Sequence, residues 1–117
     1  MATQTLKYSE TKNYIAGKPD ANGQQQMDVV SPLDGSVIST VLLSAASDLD
    51  KAVKAAEAAF PAWSGTPIKE RSQIFFRYRE LLLKNREELA LLVHTENGKT
   101  MDESYAEVDK SMELTEF

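Results

Sequence analysis

Apolar positions along this chain follow two periods, and the change between them falls near residue 44. Before that point the apolar residues come in short runs broken by Gly, Pro, Asn and Asp, the spacing of strands and turns. Tyr14-Ile15-Ala16-Gly17-Lys18-Pro19 reads as one short strand stopped by Gly and Pro. Asp20-Ala21-Asn22-Gly23 is a turn, because Asn-Gly supplies the positive φ that tight turns need. Met27 to Pro32 is a second extended piece, with Pro32 holding Ser31 in extended geometry. Leu33-Asp34-Gly35-Ser36 turns again, and Val37 to Leu43 is the most β-branched stretch. The polar residues 1–13 read as a mobile tail ahead of strands in 14–43.

From Ser47 the period lengthens. Ser47 reads as a helix N-cap, with Asp48 and Asp50 in a first turn that favours negative charge. Leu49, Val53, Ala56, Phe60 and Trp63 form one stripe, and the helix ends near Gly65. Thr66-Pro67 restarts a helix, with the hydroxyl as cap and Pro at the first helical position. Ile68, Ile74, Phe75, Tyr78, Leu81 and Leu82 give this helix a broad apolar face up to Asn85, and Glu80 with Lys84 is an i,i+4 pair. Arg86 to Glu96 continues helically with Leu89, Leu92 and Val93 inward, and Gly98 is its C-cap. Met101, Tyr105, Val108 and Met112 predict a fourth helix. That helix shows no stop signal, and Glu113 and Glu116 sit where the helix dipole disfavours acids, so the sequence reads as cut. The fold class expected is α+β: hairpin-like strands followed by about four helices over 47–117.

Composition narrows the classes without choosing among them. The chain has 117 residues, 42% hydrophobic and 26% charged, in the range of one small globular domain. A net charge of −5 repels phosphate backbones and anionic membranes. There is no cysteine, which removes disulfides, thiolate metal ligands and a cysteine nucleophile from this stretch. The N-terminus has neither the apolar core of a secretory signal nor the Arg-rich start of a transit peptide. The apolar runs are too short to span a membrane, and a cytoplasmic location is expected.

One triplet invites a catalytic reading. Gly98-Lys99-Thr100 resembles the end of a phosphate loop, but such a loop needs a glycine five residues before its last one, and that position is Val93. The triplet also follows a helix rather than a strand, so a helix stop and restart is the better account. His94 is the single histidine and has no second imidazole or thiolate to share a zinc ion. The carboxylates Asp102, Glu103, Glu107, Asp109, Glu113 and Glu116 read as a solvated face. Lys69, Arg71, Arg77, Arg79, Lys84 and Arg86 are scattered and interrupted by acids, which speaks against nucleic acid. No Gly-x-Gly-x-x-Gly dinucleotide loop occurs.

The order of these features resembles the opening of the aldehyde dehydrogenase superfamily over roughly residues 13–117. The carrying pieces are Ser31-Pro32-Leu33-Asp34-Gly35, Phe60-Pro61-Ala62-Trp63 and Glu96-Asn97-Gly98-Lys99, in that spacing. "RYRELL" and "EVDKSMELTEF" are most similar to its semialdehyde-oxidising branches, methylmalonate-semialdehyde dehydrogenases among them. The resemblance implies an α/β parent fold, with this chain as an incomplete N-terminal part of the cofactor-binding domain. It implies NAD or NADP for the parent enzyme, and a nucleophilic cysteine, a general-base glutamate and an oxyanion-hole asparagine beyond this segment. No catalytic or cofactor-binding residue carries over to these positions. Some members hold a structural monovalent cation on backbone carbonyls, and those positions correspond to Val29, Val30 and Glu96. The partners implied are the remainder of the enzyme chain and further copies in a homo-oligomer, with neither nucleic acid nor membrane.

A second reading is a non-catalytic helical module that binds a full-length homologue through Leu49/Val53/Phe60 and Met101/Tyr105/Val108. Size-exclusion chromatography and circular dichroism separate the two. A compact, cooperatively melting monomer supports the module, and an aggregating or molten chain supports the fragment.

Overall fold

A computed structural model describes residues 6–20 and 25–117. The expected turn at Asn22-Gly23 lies outside the described residues. The chain divides into two units, one made of the residues up to Val30 together with Gly35–Gly65, the other of Ser31–Asp34 with Thr66–Phe117.

Among the described residues, all the strands lie in the first unit. β1 (Asn13–Ile15) and β2 (Lys18–Asp20) pair antiparallel, with Ile15 opposite Lys18. The stretch expected to be one strand is therefore two, folded at Ala16-Gly17. Both turn residues have positive φ, 52° and 78°, the geometry of a two-residue hairpin whose twist matches its strands. The Tyr14 hydroxyl donates to the Gly17 carbonyl at 2.8 Å and holds the turn. β3 (Gln25–Val30) pairs antiparallel with β4 (Val37–Leu43), and the register slips at Val29/Val30. The far edge of β4 is also occupied. The Tyr8 amide donates to the Ile38 carbonyl (2.9 Å), the Thr11 amide to the Thr40 carbonyl (2.8 Å), and the Leu42 amide to the Thr11 carbonyl (3.1 Å). Residues 8–11, expected in a mobile tail, thus pair with β4. Alternation puts Ile38 and Leu42 on one face, where both are buried; Ile15 is buried as well.

α1 (Ala46–Gly65) starts earlier than Ser47 suggests. The Ala45 carbonyl accepts from the Asp48 and Leu49 amides, and the Asp48 carboxylate accepts from the Ala45 amide at 2.8 Å. Asp48 thus reaches back to the helix start and leaves Ser47 inside the first turn. Lys51 pairs with Asp20 and fastens α1 to β2. The stripe Leu49, Val53, Phe60 and Trp63 is exposed.

The second unit is helical. α2 (Ile68–Lys84) begins one residue later than predicted: Pro67 stands at the N-cap, and its carbonyl accepts from Glu70 and Arg71. Asn85 separates α2 from α3 (Arg86–Asn97), as expected, and its side-chain amide donates to the Leu81 carbonyl at 2.7 Å. Glu80 sits 3.5 Å from Arg79 instead of pairing with Lys84.

α3 packs on α4 (Met101–Glu116), and Ala90, Thr95, Ser104 and Val108 are the buried residues of the two helices. Small side chains let two helix backbones approach closely, whereas the larger Leu89, Leu92 and Val93 are only half-buried. Val108 is buried and Tyr105 half-buried, so the Met101/Tyr105/Val108 stripe is not free to bind a homologue as the second reading required. The Arg86 guanidinium grips Asp109 with two hydrogen bonds (2.6 and 2.8 Å) and lies 4.3 Å over the Tyr105 ring. Arg79 reaches Glu116 at 2.6 Å and Lys110 reaches Glu113 at 2.7 Å. Both acids that oppose the dipole at the end of α4 are thereby partnered.

Candidate functional site

The segment that invited a catalytic reading, residues 94–100, is the junction of α3 and α4. Gly98 adopts left-handed geometry (φ 71°), and its amide donates to the His94 carbonyl at 2.9 Å. His94 bends back in turn: its Nδ1 donates to the Lys99 carbonyl at 2.5 Å, since a carbonyl can only accept. The Lys99 amine is engaged by Glu107. A phosphate loop would present backbone N–H groups and a lysine to a ligand. Here the Gly98 amide and the Lys99 amine are turned onto the protein's own acceptors.

Thr100 opens α4 with a reciprocal cap. Its hydroxyl accepts from the Glu103 amide at 3.3 Å, and the Glu103 carboxylate accepts from the Thr100 amide at 2.9 Å. That amide bond, followed by one from the Thr100 hydroxyl, holds the Glu103 carboxyl below its ordinary range. Arg86 lowers Asp109 in the same way through its hydrogen bonds. The Thr-x-x-Glu spacing of a capping box stands in the sequence at Thr100 and Glu103.

A second contact at this junction was not legible. The Ser31 hydroxyl, buried, donates to the Thr95 carbonyl at 2.6 Å and satisfies one of the orphan acceptors at the end of α3. It also accepts from the Leu33 amide at 3.3 Å, which closes a small turn. Pro32 follows against Gly98, where a Cβ would stand 3.1 Å from the Pro32 Cγ. The Ser-Pro-Leu-Asp turn and the Glu-Asn-Gly-Lys segment, quoted above as separate motifs, are therefore neighbours in one unit.

The cation positions belong to different elements. Val29 and Val30 lie at the end of β3, on either side of its register slip, in the first unit. Glu96 lies in the last turn of α3 in the second unit, with its side chain exposed. Glu96 also borders an open groove of about 290 Å³ among Tyr78, Leu82, Leu92, Val93 and Val108. Among the described residues no three His, Asp or Glu side chains converge as metal ligands, and no helix is long and apolar enough to cross a membrane.

Residues 19–117 match the sequence profile of the Aldehyde dehydrogenase family. Malonate-semialdehyde dehydrogenase 1 of Geobacillus thermodenitrificans is 43% identical over 107 residues, 91% of this chain and 22% of that protein. Malonate-semialdehyde dehydrogenase 2 of Bacillus thuringiensis (strain Al Hakam) is 42% identical over 118 residues, covering 100% of this chain and 24% of the relative. A Sinorhizobium meliloti 1021 structure assigned as a methylmalonate-semialdehyde dehydrogenase, complexed with NAD, superposes with a TM-score of 0.90. It is 34% identical across 97% of this chain and 23% of its own. The chain thus spans less than a quarter of the length of the relatives it matches. Its strands and helices are those of an N-terminal α+β segment, and the chain belongs to the aldehyde dehydrogenase family.

Proposed function

We propose that this chain is the N-terminal part of an NAD-dependent dehydrogenase that oxidises a semialdehyde of the malonate or methylmalonate type to an acid or acyl-CoA. The carrying observation is the match to malonate-semialdehyde dehydrogenases along 91% of the chain but only 22% of their length. The junction at residues 94–100 supports a scaffolding part for this segment, since the groups that resemble a ligand grip are bonded internally. With no cysteine present, the segment on its own is inactive, and nucleophile, base and cofactor contacts belong to the rest of the polypeptide. This reading places the enzyme in the cytoplasm as a homo-oligomer.

The test is to read the gene past codon 117 and to express the uninterrupted frame. Purified full-length protein should reduce NAD when given malonate semialdehyde or methylmalonate semialdehyde, with CoA supplied or withheld to decide the product. The 117-residue chain should show no turnover. A frame without a dehydrogenase-like continuation, or full-length protein inert toward every aldehyde offered, would sink the reading.

A further inference from the structure

The Glu-Asn-Gly-Lys segment carries a chemical liability that its part in the fold does not explain. In an Asn-Gly step the glycine nitrogen can attack the asparagine side-chain carbonyl, because no side chain on the glycine obstructs the approach. At Asn97-Gly98 the Gly98 N–H proton would leave to base, and a bond would form from that nitrogen to Asn97 Cγ. The bond from Cγ to Nδ2 then breaks and ammonia departs. Water opens the resulting succinimide at either carbonyl, giving aspartate or isoaspartate. Nothing beyond water and base is required. The sequence holds two such steps, Asn22-Gly23 and Asn97-Gly98. Asn97 is exposed, so burial of its side chain does not shield it. What stands in the way is the nitrogen. Asn97 is the last residue of α3, and the Gly98 amide is committed to the His94 carbonyl at 2.9 Å. Neighbouring contacts hold that bond in place. His94 Nδ1 donates to the Lys99 carbonyl at 2.5 Å, and the Ser31 hydroxyl donates to the Thr95 carbonyl at 2.6 Å. The Pro32 ring stands where a Cβ on Gly98 would press on it at 3.1 Å.

We propose that Asn97 is a latent deamidation site, silenced in the folded protein by the C-cap of α3 and released when the junction of α3 and α4 opens. The nucleophile is the same N–H that caps the helix, so folding and modification compete for one atom. Release runs one way. Aspartate at position 97 sets a second carboxylate beside Glu96 at a helix C-terminus, where the dipole disfavours negative charge. Isoaspartate routes the main chain through the former side chain. That adds one carbon to the backbone between Thr95 and Gly98 and moves the Gly98 amide out of register with the His94 carbonyl. A chain that stays unfolded long enough to convert therefore loses the native junction. The proposal does not depend on the catalytic reading, because it needs only this junction.

The experiment incubates the full-length protein, folded in buffer and unfolded in guanidinium chloride, at the same pH and temperature. Peptide mass spectrometry follows the amide-to-acid mass change and the isoaspartyl content at Asn97, with Asn22 as the calibrating Asn-Gly step in the unfolded sample. Unfolded, the two asparagines should convert at similar rates. Folded, Asn97 should convert at least about tenfold more slowly than unfolded. Hydrogen exchange at the Gly98 amide should be slowed as well, since exchange and attack both need that N–H released and deprotonated. Deamidation should be suppressed at least as strongly as exchange. Conversion of Asn97 in the folded protein within about tenfold of its unfolded rate overturns the proposal. So does a Gly98 amide that exchanges as fast folded as unfolded while Asn97 stays intact, because the cap would then not be what silences the site. Chains carrying isoaspartate at 97 alone, separated chromatographically and refolded, should unfold at lower denaturant than unconverted chains. Equal midpoints overturn the one-way step. None of these readouts involves turnover, so a full-length protein inert toward every aldehyde sinks the functional reading alone.

Discussion

At Gly98 two constraints meet in one residue. Its φ of 71° lies where a Cβ costs about 1–2 kcal/mol, and the same Cβ would press on the Pro32 ring at 3.1 Å. Gly98→Ala in the full-length protein should therefore lower the unfolding free energy in urea titration by about 2 kcal/mol or slightly more. Gly98→Asn should recover part of the backbone cost and none of the contact with Pro32, and so fall between wild type and the alanine variant. Ser31→Ala leaves the Thr95 carbonyl without its buried donor, and the expected loss in the same titration is about 1–3 kcal/mol. A Ser31→Ala protein as stable as the parent would mean that water replaces the hydroxyl. The left-handed cap was legible because glycine after an apolar-periodic stretch is a local signal. The Ser31 contact was not, because its partner lies 64 residues away in sequence.

Among the elements, α4 shows most directly how local and distant terms combine. Its start is local: Thr100 and Glu103 satisfy each other's amides, and Thr100→Ala should cost about 1 kcal/mol. Its docking is distant: Arg86 and Arg79 anchor Asp109 and Glu116. Both kinds of contact titrate with the same sign. Glu103 and Asp109 have folded-state pKa values below their unfolded ones, so the unfolded chain binds more protons. Their stabilisation is complete above the ordinary carboxylate range and is lost as pH falls below about 4. Asp109→Asn should flatten the acid limb of a stability-against-pH curve measured by urea unfolding, and an unchanged limb would count against the Arg86 pair. Helix ends shifted by a residue or two where capping was misassigned: Asp48 reached back past Ser47, and Pro67 displaced Thr66. The hairpin at Ala16-Gly17 was missed because Ala16, a residue that rarely takes positive φ, takes it here.

Across the whole molecule, many large apolar side chains are exposed, Leu49, Phe60, Ile68 and Phe76 among them. Expressed by itself, the 117-residue chain should melt without a sharp transition and bind a hydrophobic dye, while the full-length protein melts cooperatively. A sharp melt of the isolated chain without dye binding would show that its units complete their own cores. The sequence by itself determined the strand-then-helix order, the breaks at Asn85 and Gly98, and the family, because periodicity, caps and turn residues act over a few neighbouring positions. Tertiary structure alone decided which residues are buried and who partners whom. Ala90 and Ser104 became fully buried while Leu89 and Leu92 stayed half-buried, Tyr8 and Thr11 joined β4, and Arg86 found Asp109 at a separation of 23 residues. Burial and pairing depend on which surfaces meet in space, and no residue carries that information in its immediate neighbours.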